Sequence, residues 1–491
     1  MKRLLLLLAA FLAAGPAASQ ALQDRPNVVV IIADDLGYSD VSTYAKGRIP
    51  TPNIDRLGRQ GVVFTQGYAA APICSPSRAG LMTGRAPQRY GFEYNNGPAV
   101  RDVREKLGLD TKELTLGDVL QGAGYRTGVV GKWHLGSSDE HYPTRRGFHE
   151  FFGFLTGQTD YIDPKSPDAI TIGVRPPRPA GSPPPAAGGA ESAGSIALAS
   201  AQRGALNEVM RGERQVVNNA DRYLTEEITR ESIAFVERNR HRPFFLYVAH
   251  HAPHTPFQVT RKYYDRFPHI QDRQARIYAG MVSALDDSVG EIVGRIDQLG
   301  LGGRTMIVFL SDNGCAGYLN CLCSCRELTG SKLTQFEGGI RVPFMMRWTG
   351  RIPASRTYRN PISAYDVFPT AVAAAGVAMP ANRVYDGVDL LPYVSGRARG
   401  RPHETLVWRS LPLVAVRQGD WKYHRDYDGR EHLFNLARDV RETRNLIDRE
   451  PRRAAALKAA LATWEADKVK PAWSSRYSEF EVCDRQFKFV P

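Results

Sequence analysis

The sequence predicts an α/β protein with a mainly parallel sheet flanked by helices, followed by a smaller C-terminal α+β subdomain. Residues 27–33 (NVVVIIA) form a continuous β-branched run, which is typical of a strand buried on both faces of a parallel sheet. Similar runs recur at 127–130, 243–249 and 305–310. Helical patterns lie between them, notably at 114–123 and 224–238. Strands that alternate with helices in this way favour an α/β fold.

The pattern changes beyond about Gly396. Short strand-like segments and then a helical one follow, at 413–416, 421–424, 432–434 and 451–466, which indicates an α+β subdomain carrying an antiparallel sheet. We therefore divide the chain after the N-terminal leader into a main domain (22–395) and a C-terminal subdomain (396–491). Within the main domain, residues 173–204 are rich in Pro, Gly and Ala, so we expect a surface insertion there.

Composition and charge narrow the possible classes of protein. The chain has 491 residues, of which 43% are hydrophobic and 23% charged, so a disordered or fibrous protein is excluded. Its 64 Lys and Arg against 51 Asp and Glu give a net charge of +13. That excess suits nucleic acid, an anionic membrane or an anionic substrate. The sequence contains no nucleic-acid module and no basic amphipathic helix, so we expect neither nucleic acid nor a membrane as partner.

The N-terminus predicts export. A short basic start at Lys2 and Arg3 precedes an apolar run at 4–14 and small residues up to Ala21. The apolar run is too short to span a bilayer comfortably and reads as a removable signal peptide over residues 1–21. No cysteine stands at the cleavage site to suggest a lipid anchor. We expect a periplasmic or secreted protein without a membrane anchor after cleavage.

Six cysteines are distributed unevenly along the chain. Cys74 stands alone and Cys483 is close to the C-terminus, whereas four crowd one segment: Cys315, Cys321, Cys323 and Cys325. The crowded four could hold zinc, but their C-x-C-x-C spacing is not that of zinc knuckles. Disulfides or free thiols are favoured, since export permits disulfides. The pairing is left open, and with Cys74 set aside at least one of the other five should be unpaired.

Two predicted strands end in oxygen-bearing side chains. Asp34 and Asp35 follow the run at 27–33, and Asp312 and Asn313 follow the run at 305–310. Ligands bind outside the carboxyl ends of strands in open α/β sheets, and such oxygens suit Ca²⁺ or Mg²⁺. The alternative is turn formation, which Asp and Asn often support.

A third candidate segment, residues 74–78 (CSPSR), predicts the start of a helix. Pro and Ser suit the first turn, where free N–H groups bind anions. A cysteine at that position is expected to have a lowered pKa and to be a nucleophile, with the planar guanidinium of Arg78 directed at the same place. The alternative is a small buried residue at a helix start.

Residues 74–84 resemble the sulfatase signature C-x-P-S-R-x-x-x-x-T-G. Further segments agree with the family in order, at 27–40 (NVVVIIADDLGYSD), 131–136 (GKWHLG), 251–256 (HAPHTP), 311–314 (SDNG), 331–332 with 337–343 (SK, EGGIRVP), 419–422 and 442–446. The sequence is thus similar to type I sulfatases of the alkaline phosphatase-like superfamily over nearly all of the chain after residue 21. The resemblance implies that residues 22–395 are the catalytic domain.

The resemblance also implies a modified residue and a metal. Cys74 would be converted to Cα-formylglycine by a formylglycine-generating maturation enzyme, and its hydrated aldehyde would be the nucleophile. One Ca²⁺ (Mg²⁺ being possible) would be held by Asp34, Asp35, Asp312, Asn313 and an oxygen of residue 74.

The remaining roles follow from the family's chemistry. Sulfate-ester cleavage develops charge on peripheral oxygens and needs preorganised positive charge, which Arg78, Lys132 and Lys332 would supply. His254, with Lys332, would protonate the leaving alcohol. His134 would deprotonate the second hydroxyl of residue 74 and so release sulfate from a covalent sulfo-enzyme. We expect His251 to support the site or touch substrate and His250 to pack behind the strand.

The implied activity is hydrolysis of an aryl or carbohydrate sulfate to an alcohol and inorganic sulfate. A sulfated glycan is preferred because 146–153 (RGFHEFFG) resembles arylsulfatases and hexosamine-6-sulfatases. Two alternatives stay open. One is a phosphomonoester or phosphonate hydrolase of the same superfamily; the other is a catalytically dead protein that binds sulfated glycans. Every expected catalytic position is filled, so the second would require failed cysteine maturation.

Overall fold

The computed structural model describes residues 25–45, 49–97, 99–172, 208–217, 222–317, 322–325, 327–475, 478–482 and 485–489. Four predictions lie outside these residues: the signal peptide, the insertion at 173–204, Cys321 and Cys483. The boundaries drawn at residues 22 and 396 stay predictions.

The strands are numbered along the described chain. They are β1 (Asn27–Ala33), β2 (Val62–Phe64), β3 (Gly67–Tyr68), β4 (Arg126–Lys132), β5 (Glu150–Phe154), β6 (Ala169–Thr171), β7 (Met210–Arg211), β8 (Gln215–Val216), β9 (Phe244–Ala249), β10 (Gln258–Thr260), β11 (Thr305–Ser311), β12 (Phe344–Arg347), β13 (Arg356–Tyr358), β14 (Ile362–Ser363), β15 (Thr405–Ser410), β16 (Leu413–Gln418), β17 (Trp421–Arg425), β18 (Glu431–Asn435), β19 (Ser478–Val482) and β20 (Arg485–Phe489).

The helices of the described chain are numbered in the same way. They are α1 (Pro52–Arg59), α2 (Cys74–Thr83), α3 (Ala99–Glu105), α4 (Leu116–Gly122), α5 (Leu224–Asn239), α6 (Arg261–Tyr264), α7 (Arg273–Gln298), α8 (Glu337–Ile340), α9 (Val367–Ala374), α10 (Leu391–Val394) and α11 (Pro451–Glu465). None of these described helices combines the length and apolar character needed to cross a membrane.

Ten of the described strands form one sheet in the order β13-β2-β12-β11-β1-β9-β4-β5-β7-β8. Its centre, β11-β1-β9-β4-β5, is parallel throughout, and antiparallel pairs occur toward both edges. The four strands predicted from β-branched runs are β1, β4, β9 and β11, all of them central. The prediction of a mainly parallel α/β sheet is therefore confirmed.

Strand β1 shows why the continuous apolar run was informative. All seven of its residues are buried. Val29 and Ile31 pack into one core with helices α5 and α7, whereas Val28 and Val30 pack into a second core with α2, α4 and α9. Alternate side chains point to opposite faces of a strand, so a strand covered on both faces needs apolar residues at every position.

The C-terminal subdomain is confirmed as an α+β unit. Strands β15, β16, β17 and β18 pair antiparallel in chain order, and the predicted helix is α11. Leu457 and Leu461 of α11 pack on Val414 and Val416 of the sheet in a separate small core.

A buried ion cluster joins this subdomain to the main domain. The Lys422 ammonium, on β17, lies 3.0 Å from Glu337 Oε1 at the start of α8 and 2.9 Å from Glu442 Oε1. Glu442 also accepts a hydrogen bond from the Glu337 amide at 2.7 Å. All three side chains are fully buried, so one lysine is paired with two carboxylates that have left water, and burial raises the pKa of Glu442 to about 7.

Lys422→Met is expected to lower the free energy of unfolding by roughly 3–5 kcal/mol, because it leaves buried carboxylates without their cation. Urea unfolding of purified protein measures the change. The control is Lys458→Met, since Lys458 is an exposed residue of α11 paired with Glu431, and a surface pair contributes about 0–1 kcal/mol. Equal midpoints for the two variants would contradict the assigned role of Lys422.

Candidate active site

The predicted site residues converge at one edge of the sheet. Strands β11, β1, β9 and β4 are neighbours and parallel, so the segments that follow them leave the sheet on the same side. Those segments carry Asp312 and Asn313, Asp34 and Asp35, His250 to His254, and Lys132 to His134. Helix α2 begins at Cys74, and the segment before α8 adds Lys332.

Cys74 is the first residue of α2 and is buried. Its Sγ lies 3.6 Å from Asp34 Oδ1 and 3.8 Å from Asp35 Oδ1. The expectation of a lowered thiol pKa is wrong. Burial raises the pKa of Cys74, with Asp312 and Asp34 adding to the increase and outweighing Lys132 and Lys332. A thiolate is therefore disfavoured, and the unmodified cysteine is a poor nucleophile.

Three carboxylates and three cations pair off around Cys74. The Lys132 ammonium lies 2.7 Å from Asp34, and that of Lys332 lies 2.8 Å from Asp35. The Arg78 guanidinium lies 2.8 Å from Asp312 and 3.6 Å from Asp34. These side chains are at most 5% exposed, so water does little to screen them.

The pairing sets the protonation of the carboxylates. Burial by itself would raise the pKa of Asp34, but Lys132 in particular holds it well below its usual range. Lys332 lowers the pKa of Asp35 against burial in the same way. Burial and the neighbouring Asp34 raise the pKa of Asp312 although Arg78 opposes them.

The same residues fit a metal ion. Ligand atoms of Asp34, Asp35, Cys74 and His254 lie within 4.8 Å of one another. Asn313 adds a buried amide oxygen that has no hydrogen-bond partner among the described residues, while its nitrogen donates to Asp35 at 2.8 Å. Asp312 Oδ1 accepts from the Asp35 amide at 3.2 Å. The predicted oxygen donors thus lie together, and His254, which was not predicted as a ligand, borders them.

The histidines after β9 take different positions. His254 Nε2 lies 3.7 Å from Asp35, and burial lowers the pKa of His254 to about 3. His251 is fully buried, with Nδ1 3.3 Å from Asp34 and its ring stacked on Tyr161, so it supports the site from beneath. His250 points away from the site and lies 3.1 Å from Ser288 on α7, behind the strand as expected.

His134 lies beside the cationic part of the site. It is 4% exposed, and burial, together with Lys132 and Arg78, lowers its pKa well below the usual value. Its Nδ1 has no hydrogen-bond partner among the described residues. Trp133 between Lys132 and His134 is core, and its indole donates to the His141 carbonyl.

Backbone conformation is unusual in three of these segments. Asp35, His134 and Leu333, which follows Lys332, have φ values of 65°, 57° and 76°. Residues with a side chain rarely adopt this left-handed region, which costs roughly 1–2 kcal/mol. Such conformations persist where the surrounding structure imposes them, and they concentrate at functional sites.

Sequence reasoning missed a polar network beneath Cys74 and His134. Ser75 Oγ lies 2.5 Å from the His134 carbonyl and 3.1 Å from Asn96 Oδ1. Asn96 donates to buried Asp102 at 2.8 Å, and Asp102 also accepts from the hydroxyl and amide of Ser137. The network ties the start of α2 to the backbone of His134. No sequence spacing relates Asp102 to either residue.

The cysteine-rich segment adjoins the site. Cys315, two residues after Asn313, forms a disulfide with Cys323, and the thiol of Cys325 lies 3.0 Å from Cys315 Sγ. The expectations of a disulfide and of an unpaired cysteine are confirmed for these residues. The Ser324 carbonyl accepts a hydrogen bond from the Ser39 amide at 3.0 Å, and the Ser324 amide donates to the Asp40 carboxylate at 3.0 Å, so the segment braces the turn after Asp35.

Fold and site together define a hydrolase of the alkaline phosphatase-like superfamily. The family model of sulfatases matches residues 26–377, and the chain belongs to the sulfatase family. It is therefore a sulfuric ester hydrolase.

Named relatives agree with this assignment. N-acetylgalactosamine-6-sulfatase of Sus scrofa is 34% identical, over 81% of this chain and 71% of the relative. Steryl-sulfatase of Mus musculus is 33% identical, over 83% and 71%. The crystal structure of Ps i-CgsB superposes with a TM-score of 0.79 at 31% identity, over 91% of this chain and 94% of that one.

Asp102→Asn should change how stability depends on pH. Burial raises the pKa of Asp102 to about 6 from 3.8, so the folded state holds this proton more tightly than the unfolded state. The resulting stabilisation is present below about pH 4 and is lost as pH rises through about 6, a change of roughly 2–3 kcal/mol. Asparagine carries no such proton.

Urea unfolding of both proteins between pH 4 and 7.5 measures this difference. Wild type should lose stability relative to Asp102→Asn as pH rises across that range. Asp448→Asn, at an exposed position, is the control. A wild-type to Asp102→Asn difference that is constant with pH would contradict the prediction.

Proposed function

We propose that this protein removes sulfate from a carbohydrate by formylglycine-dependent catalysis with one bound Ca²⁺. The observation that carries the proposal is the placement of Cys74. It lies between the carboxylates of Asp34 and Asp35, within a cluster of three buried cations. A thiol that burial keeps protonated is unsuited to attack sulfur, whereas its oxidised and hydrated form supplies a hydroxyl nucleophile.

The donor set favours a hard cation. Asp34, Asp35, Asp312 and Asn313 offer oxygens, which Ca²⁺ prefers, with Mg²⁺ as the smaller alternative. Zinc would instead favour cysteine and histidine ligands, whereas oxygens predominate in this donor set. The formal charges of the three carboxylates and the three cationic side chains sum to zero, so a bound divalent ion would give the site a net positive charge. When bound, the ion would polarise the sulfate ester and lower the pKa of the attacking hydroxyl.

The chain's own cations orient the substrate. Arg78 is fixed by Asp312 and by the Lys132 carbonyl, so it can hold residue 74 in place. Lys132 is paired with Asp34 and Lys332 with Asp35. Both lysines would neutralise sulfate oxygens as negative charge develops on those oxygens. Because these groups are rigid and shielded from water, they stabilise charge without reorganising.

Two histidines would move protons at residue 74. His254 shares Asp35 with Lys332, where the leaving alcohol would receive its proton. The negative charge of bound sulfate would raise the pKa of His254 from its low value in the free site. His134 lies near Lys132 and Arg78 with a free Nδ1 in the described structure, and is the base that would release sulfate.

Relatives support a glycan as substrate. One is named for N-acetylgalactosamine 6-sulfate, and Ps i-CgsB has been solved with k-i-k-neocarrahexaose, at 30% identity to this chain and a TM-score of 0.78. Export to a periplasm or the exterior is part of the proposal. It is supported by the basic and apolar start of the sequence and by the Cys315–Cys323 disulfide, since disulfides persist in oxidising compartments.

Cys74→Ala should lower turnover of an aryl or carbohydrate sulfate by about 10³-fold or more, because it removes the precursor of the nucleophile. Mass spectrometry of the peptide containing residue 74, from protein made with a maturation enzyme, should show an aldehyde. Cys325→Ala is the control, as the other described free cysteine, and should keep its turnover. Full activity in the Cys74 variant would refute the proposal, and activity on aryl phosphate exceeding that on aryl sulfate would favour a phosphohydrolase.

Chelator-treated protein should regain one Ca²⁺ per chain, measured by elemental analysis. At a free concentration about 100 times the dissociation constant, the ion should stabilise the fold by about 2.7 kcal/mol, seen as a rise in thermal midpoint. Asp35→Asn should weaken this response, whereas Asp428→Asn, at an exposed position in the C-terminal subdomain, should leave it intact. A wild-type protein indifferent to both Ca²⁺ and Mg²⁺ would contradict the metal site.

A further inference from the structure

The hydroxyl group of Ser75 has one proton and two acceptors. Ser75 follows Cys74 in the first turn of α2. Its Oγ lies 2.5 Å from the His134 carbonyl oxygen and 3.1 Å from Asn96 Oδ1. Both of these oxygens only accept hydrogen bonds, whereas a serine hydroxyl donates a single proton. The two acceptors therefore compete for that proton, and bulk water supplies no second donor because all three residues are at most 4% exposed.

The carboxyl group of Asp102 lies at the other end of this chain of hydrogen bonds and is 1% exposed. Its Oδ2 lies 2.8 Å from Asn96 Nδ2 and 2.6 Å from the Ser137 hydroxyl, and Oδ1 accepts from the Ser137 amide at 3.2 Å. Arg214 donates to the Ser137 carbonyl at 2.9 Å and is paired with Asp139 at 3.0 Å. Burial raises the pKa of Asp102 to about 6 although the hydrogen bonds oppose it, without a contribution from a charged neighbour in the described structure.

The protonation state of Asp102 decides which arrangement the chain of hydrogen bonds adopts. An ionised Asp102 requires the amide nitrogen of Asn96 as donor, so Asn96 Oδ1 faces Ser75 and competes for the hydroxyl proton. A protonated Asp102 can instead donate to Asn96 Oδ1 once the amide group has turned over, since hydrogen bonding decides the orientation of an amide. The amide nitrogen then donates to Ser75 Oγ, and Ser75 gives its proton entirely to the His134 carbonyl.

The backbone of His134 depends on such external hydrogen bonds. Its φ of 57° lies in the left-handed region, which persists where the surrounding structure imposes it. The His134 amide donates to the Leu155 carbonyl at 3.1 Å, and the His134 carbonyl faces Ser75. The ring Nδ1 has no hydrogen-bond partner among the described residues. A change at the carbonyl is therefore passed to the imidazole through the backbone.

We propose that Asp102 is a positioning residue for sulfate release, whose proton acts on His134 through Asn96 and Ser75. The inference rests on the proposed function, in which His134 is the base that releases sulfate from residue 74. With Asp102 protonated, the Ser75 hydroxyl holds the His134 backbone against the start of α2. With Asp102 ionised, this hydrogen bond weakens and the imidazole is held less well for proton transfer. Asp102 thus affects the release of sulfate and leaves the binding of substrate unchanged.

The test measures the pH dependence of aryl sulfate hydrolysis, with kcat expressed per residue 74 that mass spectrometry finds as the aldehyde. Asp102→Asn places a permanent N–H donor toward Asn96 and so copies the protonated carboxyl group. Its kcat should equal that of wild type at about pH 5 and exceed it about threefold to tenfold at about pH 7.5, the value of part of a hydrogen bond. The kcat/KM values should agree at both pH values, because sulfate release follows the first irreversible step.

Two serines provide a shifted profile and its matched control. Ser137→Ala removes a donor to the ionised carboxylate, which raises the pKa of Asp102, so the fall in kcat should move to higher pH. Ser138→Ala should leave the profile as in wild type, since the Ser138 hydroxyl contacts His141 instead. In a Ser75→Ala background, Asp102→Asn should have no further effect on kcat, because the connection to His134 is already broken.

The outcomes separate this inference from the proposed function. A ratio of the Asp102→Asn kcat to the wild-type kcat that is constant with pH would overturn the positioning role alone. An Asp102→Asn effect that persists unchanged in the Ser75→Ala background would do the same. Wild-type protein that carries the aldehyde and hydrolyses no sulfate ester, or full kcat in His134→Ala, would overturn the proposed chemistry and the inference with it.

Discussion

Six buried charges at one edge of the sheet are the constraint on which the rest of the structure depends. Taking ions out of water is costly, and the loss is offset only when each ion has a close partner in fixed geometry. Asp34 and Asp35 leave the central strand, and their partners Lys132 and Lys332 come from segments far apart in the chain. The order of the strands in the sheet therefore brings the oppositely charged side chains together.

The C-terminal subdomain contributes to this arrangement indirectly. Lys332 lies in a segment between the disulfide at Cys315 and helix α8, and its amide donates to the Cys315 carbonyl at 2.8 Å. Glu337 at the start of α8 is held by Lys422 and Glu442 from the subdomain. The tail motifs at 419–422 and 442–446 therefore contact the start of α8, five residues after Lys332.

The sequence predicted the elements of the fold whose burial requires a continuous run of apolar residues. The central strands are covered on both faces, so their β-branched runs are continuous, and parallel strand ends bring Asp34 and Asp312 to one edge. The edge strands β2, β7, β8 and β13 are two or three residues long, too short to show any periodicity. Three strands and the helix of the C-terminal subdomain were also visible in the sequence.

The site could be predicted from motifs only as a set of residues. The thiol pKa of Cys74 was misjudged because a helix start lowers it in water, whereas here burial dominates. The Asp102 network and the Lys422 cluster depend on contacts between segments remote in sequence, and no local pattern encodes such contacts. His251 was predicted to support the site or touch substrate, but its contact with Asp34 and its stacking on Tyr161 needed the three-dimensional structure.

The left-handed backbone at Asp35 and His134 has a consequence for engineering a more robust enzyme. Elsewhere, a strained residue of this kind can be exchanged for glycine, which relaxes the backbone and adds stability. At these two positions the exchange would delete a carboxylate of the ion cluster or the imidazole beside Arg78. Thermal robustness must therefore be gained in the two cores on the opposite faces of the sheet, and the catalytic edge stays the part of the molecule least open to improvement.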